Sequence, residues 1–98
     1  MNEYKLTVLV KFSDDEVGES IIDDFGGCVG TNPFVFESTF DNIDSCKDFV
    51  MQFANKWCND LKANLGDMVM DTYGVDIVGV DYSISNNASV LDADEIIC

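Results

Sequence analysis

The stretch from residue 46 to residue 65 constrains the fold most. Cys46, Phe49, Val50, Phe53, Trp57, Cys58, Leu61 and Leu65 recur at helical spacing. Steps of three and four lay apolar side chains along one stripe of a helix, and that stripe must be buried against something. Asn42 or Asp44 stands where an N-cap side chain takes the first free amides. Gly66 is expected to interrupt the helix. Met68, Val69 and Tyr73 keep the period, so a second short helix is expected to reach Gly74.

Strands flank this helix. Tyr4, Leu6, Val8, Val10 and Phe12 alternate with polar residues, the pattern of a half-buried strand. Ser13-Asp14-Asp15-Glu16 fits the S-x-x-E capping box, and Val17, Ile21, Ile22 and Phe25 follow at helical spacing before Gly26-Gly27. Cys28–Gly30 is expected as a short strand and Thr31-Asn32-Pro33 as a turn. Phe34–Phe40 and Val75–Ile84 alternate again, with Gly79 marking a bulge. The order predicts an α+β fold, either a ferredoxin-like β-α-β-β-α-β sandwich or a three-stranded sheet with two or three helices. Residues 1–85 make one domain, and residues 86–98 read as an acidic C-terminal tail.

Cys28, Cys46, Cys58 and Cys98 include no C-x-x-C pair, and no His is present to complete a zinc site. Cys46 and Cys58 sit about 18 Å apart along one helix and cannot bond each other. The cysteines are expected as reduced, mostly buried thiols. The N-terminus has no basic leader or cleavage site, so a cytoplasmic protein is expected.

Chemistry is sparse. With no His and no Arg, Ser-His and Cys-His pairs and phosphate clamps are excluded, and there is no Walker A loop or G-x-G-x-x-G. Asp14-Asp15-Glu16, Asp23-Asp24 and Asp92-x-Asp94-Glu95 lack EF-hand spacing. No catalysis, metal or cofactor is expected. The Phe-rich strand at 34–40 lacks the basic flanks that base-stacking strands need.

What remains is charge. Nineteen Asp and Glu face five Lys, a net −14 in 98 residues. Self-repulsion on this scale works against compactness, and it excludes direct binding to nucleic acid or an anionic membrane. Asp14, Asp15, Glu16, Glu19, Asp23 and Asp24 crowd the first helix, with Asp15, Glu19 and Asp23 on one face at a spacing of four. Asp60, Asp67, Asp71 and Asp76 form a second stripe. These ten are the expected partner-binding residues. Spaced carboxylates on a rigid surface resemble a ladder of phosphates, so the expected partner is a basic nucleic-acid-binding protein.

Asn32-Pro33-Phe34-Val35, followed by Phe49, Phe53, Asn55, Trp57 and Asn59 on the helix, resembles part of a family of small Cas9-inhibiting anti-CRISPR proteins. The resemblance spans residues 32–59 and leaves out the first strand and helix. It implies a small, acidic, phage-borne DNA mimic acting on a CRISPR effector, and it transfers no residue roles. The expected function is a non-enzymatic inhibitor of a host defence protein, either anti-CRISPR or antirestriction. An immunity protein or antitoxin against a basic nuclease uses the same physics. A scaffold or subunit whose acidity only serves solvation is the third reading.

Overall fold

The computed structural model describes residues 3–26 and 32–98. Its elements are β1 (Tyr4–Phe12), α1 (Asp15–Asp24), β2 (Val35–Phe40), α2 (Ile43–Tyr73), β3 (Ile77–Asn86) and β4 (Ser89–Ile97). The four strands form one antiparallel sheet in the order β2-β1-β3-β4. The α+β class expected from the sequence is therefore correct. Among the described residues the fourth strand comes from the C-terminus. The strand expected at Cys28–Gly30 lies outside the described residues.

Alternation does the work in the two central strands. Leu6, Val8, Val10 and Phe12 of β1 are buried, as are Val80 and Ile84 of β3 opposite them. The bulge expected at Gly79 is there: Lys11 pairs with Gly79 but Phe12 pairs with Ile77. Gly79 also sits against β4, where an added Cβ would collide with the Ile96 carbonyl oxygen. The helix α2 covers one sheet face with Cys46, Val50, Ala54, Cys58 and Val69. Asn42 is its cap, its side chain accepting from the amides of Asp44 at 2.7 Å and Ser45 at 3.3 Å. Phe49, Phe53 and Trp57 stack along the helix, and Phe36 and Phe40 of β2 close on them.

Gly66 does not interrupt α2, which runs 31 residues to a left-handed Gly74 cap. A helical glycine costs about 1 kcal/mol, and the burial of Val69 with the packing of Leu65 and Met68 outweighs it. The capping box on α1 is displaced by one residue. Asp14, not Ser13, is the cap, accepting from the Val17 amide at 3.0 Å. The Ser13 hydroxyl is occupied elsewhere: it accepts from the Asp76 amide at 3.0 Å. At the far end of α1, Asn32 is buried. It donates to the Ile22 carbonyl and accepts from the Phe34 amide, both at 2.9 Å.

The expectation of an acidic tail over residues 86–98 is corrected, because Ser89–Ile97 is a full strand on β3. A two-residue turn joins the strands, with Asn87 at φ 50° and Ala88 at φ 68°. Both central residues of such a hairpin need positive φ, which an alanine adopts at a cost of about 1–2 kcal/mol. Ala88→Gly should therefore raise stability by about 1 kcal/mol. A urea titration checks it, and an unchanged or lower midpoint would count against the turn. Among the described residues, no helix is long and apolar enough to cross a membrane.

The expectation of reduced thiols is also corrected. Cys58 of α2 and Cys98, just past β4, form a disulfide, with Cα atoms 6.5 Å apart. Cys46 remains a free, buried thiol. Forty residues separate the bonded pair, and only the pairing of β4 with β3 brings them together.

Candidate functional site

The ten sequence-predicted acids divide into two groups. All ten are exposed. Those of α1 are held on a helix fixed at both ends. At its start, Ser13 and Asp76 exchange hydrogen bonds, with the Ser13 amide donating to the Asp76 carbonyl at 2.9 Å. At its finish, the Tyr73 hydroxyl donates to Asp24 at 3.1 Å. Burial and this bond together push the Tyr73 hydroxyl pKa above its ordinary value. Asp76 thus joins Asp14, Asp15, Glu16, Glu19, Asp23 and Asp24 in one acidic region.

Asp60, Asp67 and Asp71 stand apart. Spacings of seven and four place them on one helix face. Tyr73 turns toward α1, and Asp71, two residues earlier, lies about 200° round the helix from it. The second stripe therefore looks away from the first. Asp60 is also partly neutralised by Lys56, four residues before it, at 3.7 Å. The two expected stripes are two faces, not one array, and Asp76 belongs with α1.

Cation placement sharpens this division. Lys5 pairs with Glu37 at 2.9 Å, and Lys11 pairs with Glu95 at 3.0 Å. Both pairs lie on the sheet face opposite α2, where β1 turns its polar side. Among the described residues, no ion pair involves an α1 carboxylate. Asp14 and Asp24 have local duties, as cap and as acceptor for Tyr73. Asp15, Glu16, Glu19 and Asp23 have no hydrogen-bonding duty for their side chains among the described residues.

Sequence reasoning missed a second feature. Asp81, Lys11 and Glu95 meet on the open sheet face, and Asp15 reaches toward them from α1. The hydrogen bond that Lys11 donates to Glu95 and the charge of Asp81 raise the Lys11 pKa. Desolvation raises the Asp81 pKa, with Lys11 opposing and Glu95 and Asp15 adding to the rise. A hollow of about 350 Å³ lies between this group and α1, lined by Leu9, Lys11, Asp15, Glu19, Ile22 and Asp81. A second of about 500 Å³ continues over Thr7, Leu9, Ser83, Ala93 and Glu95. The outward positions of Lys11 and Asp81 were legible from strand alternation. Glu95 was not, because the bulge at Leu91 breaks the alternation of the strand that carries it. Among the described residues no group of three or more His, Cys, Asp or Glu side chains is arranged to hold a metal ion.

Compared with protein-family models, with curated proteins and with solved structures, the chain matches none of them. Several of the residues that carry the anti-CRISPR resemblance have packing roles here, while Asn55 and Asn59 are exposed. Asn32 fastens α1 to the start of β2, and Phe49, Phe53 and Trp57 form the aromatic stack.

Proposed function

We propose that this chain is a small, non-enzymatic inhibitor that occupies the nucleic-acid-binding surface of a basic protein as a DNA mimic. A host defence protein of the CRISPR or restriction type fits as the target, met in the cytoplasm of the host cell. One observation carries the reading: α1 is anchored at both ends yet presents Asp15, Glu19 and Asp23 exposed at a spacing of four, in no ion pair among the described residues. Each step of four advances about 6 Å along the axis. Like charges at that spacing cost a few tenths of a kcal/mol per pair. Lysines and arginines that ordinarily hold phosphates would find carboxylates there on a fixed backbone, with only side-chain rotamers left to order on binding.

The disulfide favours a second reading on compartment. A Cys58–Cys98 bond persists in oxidising surroundings and is kept reduced in the cytosol of most cells. An immunity protein that meets a basic nuclease outside the cytoplasm would use the same carboxylates. Capture from host lysate against capture from a strain expressing a basic toxin separates the two.

The carboxylate reading is tested by replacing Asp15, Glu19 and Asp23 with Asn, Gln and Asn in one variant. The melting temperature should hold or rise slightly. Binding to the captured target, measured against a competing DNA duplex, should weaken at least about tenfold, or about 1.4 kcal/mol. Wild-type binding should also fall steeply as salt rises, because screening shortens the reach of exposed charges to about 8 Å near physiological strength. Undiminished binding by the variant would remove α1 from the interface and favour solvation as the role of its acids.

A further inference from the structure

We infer that the β4 edge is a docking site for an extended basic segment of a partner, added to the sheet as a fifth strand. The inference concerns a surface separate from the α1 acids and does not require nucleic-acid mimicry. Among the described residues, strand order leaves β4 with one free side. The Cys98 amide donates to the Val78 carbonyl at 3.0 Å, and the register runs back through Val80↔Ile96, Tyr82↔Asp94 and Ile84↔Asp92. Alternate residues of an antiparallel strand turn their backbone groups to opposite sides. The amides and carbonyls of Ala93, Glu95 and Ile97 therefore point away from β3.

The side chains along this edge are unusual for a free strand. Val90, Leu91 and Ile97 are 65%, 49% and 63% exposed. The opposite edge, β2, carries no exposed large apolar side chain. Acids are set among the apolar residues of β4: Asp92, Asp94 and Glu95. A free apolar edge invites strand pairing, and natural proteins block it with charge or a bulge. Both devices are present here. The register slips between Ile84 and Ser85, which leaves Leu91 unpaired as a bulge. The Asp94 carboxylate accepts from the outward Glu95 amide at 2.8 Å.

Charge decides the occupant. A second copy pairing antiparallel about Ala93 would set Asp92 of each chain against Asp94 of the other. Like charges directly opposite destabilise a sheet. A strand carrying Lys or Arg at alternate positions meets the reverse situation. A cation opposite Asp94 would draw its carboxylate off the Glu95 amide and free that amide for the incoming carbonyl. Main-chain bonds then supply affinity, and the acids select the partner's charge.

The test uses the whole oxidised protein and a synthetic peptide, Lys-Thr-Lys-Val-Lys-Thr-Lys, with both ends blocked. Residue-resolved amide exchange should slow about tenfold or more at Ala93, Glu95 and Ile97. It should be unchanged on α1. The same peptide with alternate amides N-methylated keeps its charge but cannot form the ladder, and should lose the protection. A peptide with Glu for Lys should give none. The variant Ala93→Pro removes one outward amide from the protein side and should also lose the protection while its other β3–β4 amides stay protected. Equal protection by the N-methylated peptide, or none by the unmodified one, would overturn the inference.

Discussion

Phe34→Ala is expected to cost about 3–5 kcal/mol of unfolding free energy, the range for deleting a fully buried aromatic ring. Phe34 has no exposed surface, and its ring meets Phe12 and Phe25 edge-to-face at 5.4 and 5.1 Å. Its carbonyl also accepts from the Val10 amide at 3.0 Å, so the residue joins β1, the end of α1 and the start of β2. A domain of this size holds about 5–15 kcal/mol in total, so the variant should melt at least about 12 °C lower. Trp57→Ala should do less. Trp57 is only half-buried at one end of the aromatic stack, 5.8 Å from Phe53. Its truncation should cost about 1–3 kcal/mol. Urea titrations of the two variants order them. A Trp57 loss equal to the Phe34 loss would mean that the stack, not the Phe12–Phe25–Phe34 group, centres the core.

What the sequence revealed and what it concealed have separate physical causes. Strands β1, β2 and β3 and the first two-thirds of α2 are periodic, and periodicity reports which face is buried. Gly66 misled because propensity is local, while Leu65, Met68 and Val69 are held by tertiary contacts. Strand β4 was hidden twice. The bulge at Leu91 breaks its alternation, so Val90, Leu91, Ile96 and Ile97 do not recur at intervals of two. The turn that starts it uses Asn87-Ala88 in place of the Asn-Gly that signals a tight hairpin.

The candidate site divides along the same line. Exposure of the ten acids followed from their positions on polar faces, and the structure agrees. Asp14 caps its own helix locally, but the other anchoring contacts did not follow, because they depend on partners far away in sequence. Tyr73 is 49 residues from Asp24, and Ser13 is 63 from Asp76. Those two contacts anchor α1, and they separate the acids with structural work from Asp15, Glu19 and Asp23. Likewise the Lys11–Glu95 pair could not be anticipated without β4.

Reduction of the Cys58–Cys98 bond is expected to remove about 4 kcal/mol of stability. The bond closes a loop across a sequence separation of 40 residues that carries the later half of α2 and the whole β3–β4 hairpin. In the chain-entropy model, a cross-link over that length restricts the unfolded chain by about 4 kcal/mol at room temperature. The folded side changes less, because β4 keeps its ladder to β3 when the sulfurs part. Urea titrations with and without a thiol reductant measure the difference. The variant Cys98→Ala should match reduced wild type and show no response to the reductant. Cys58 is a poorer choice for substitution, since it is fully buried under the sheet and a change there would add a packing loss. The α1 carboxylates lie outside the closed loop, so partner binding by the α1 face should survive reduction as long as the domain stays folded. Equal wild-type midpoints under both conditions would show that the bond does not form in solution, and would restore reduced thiols and a cytosolic site of action as the simpler description.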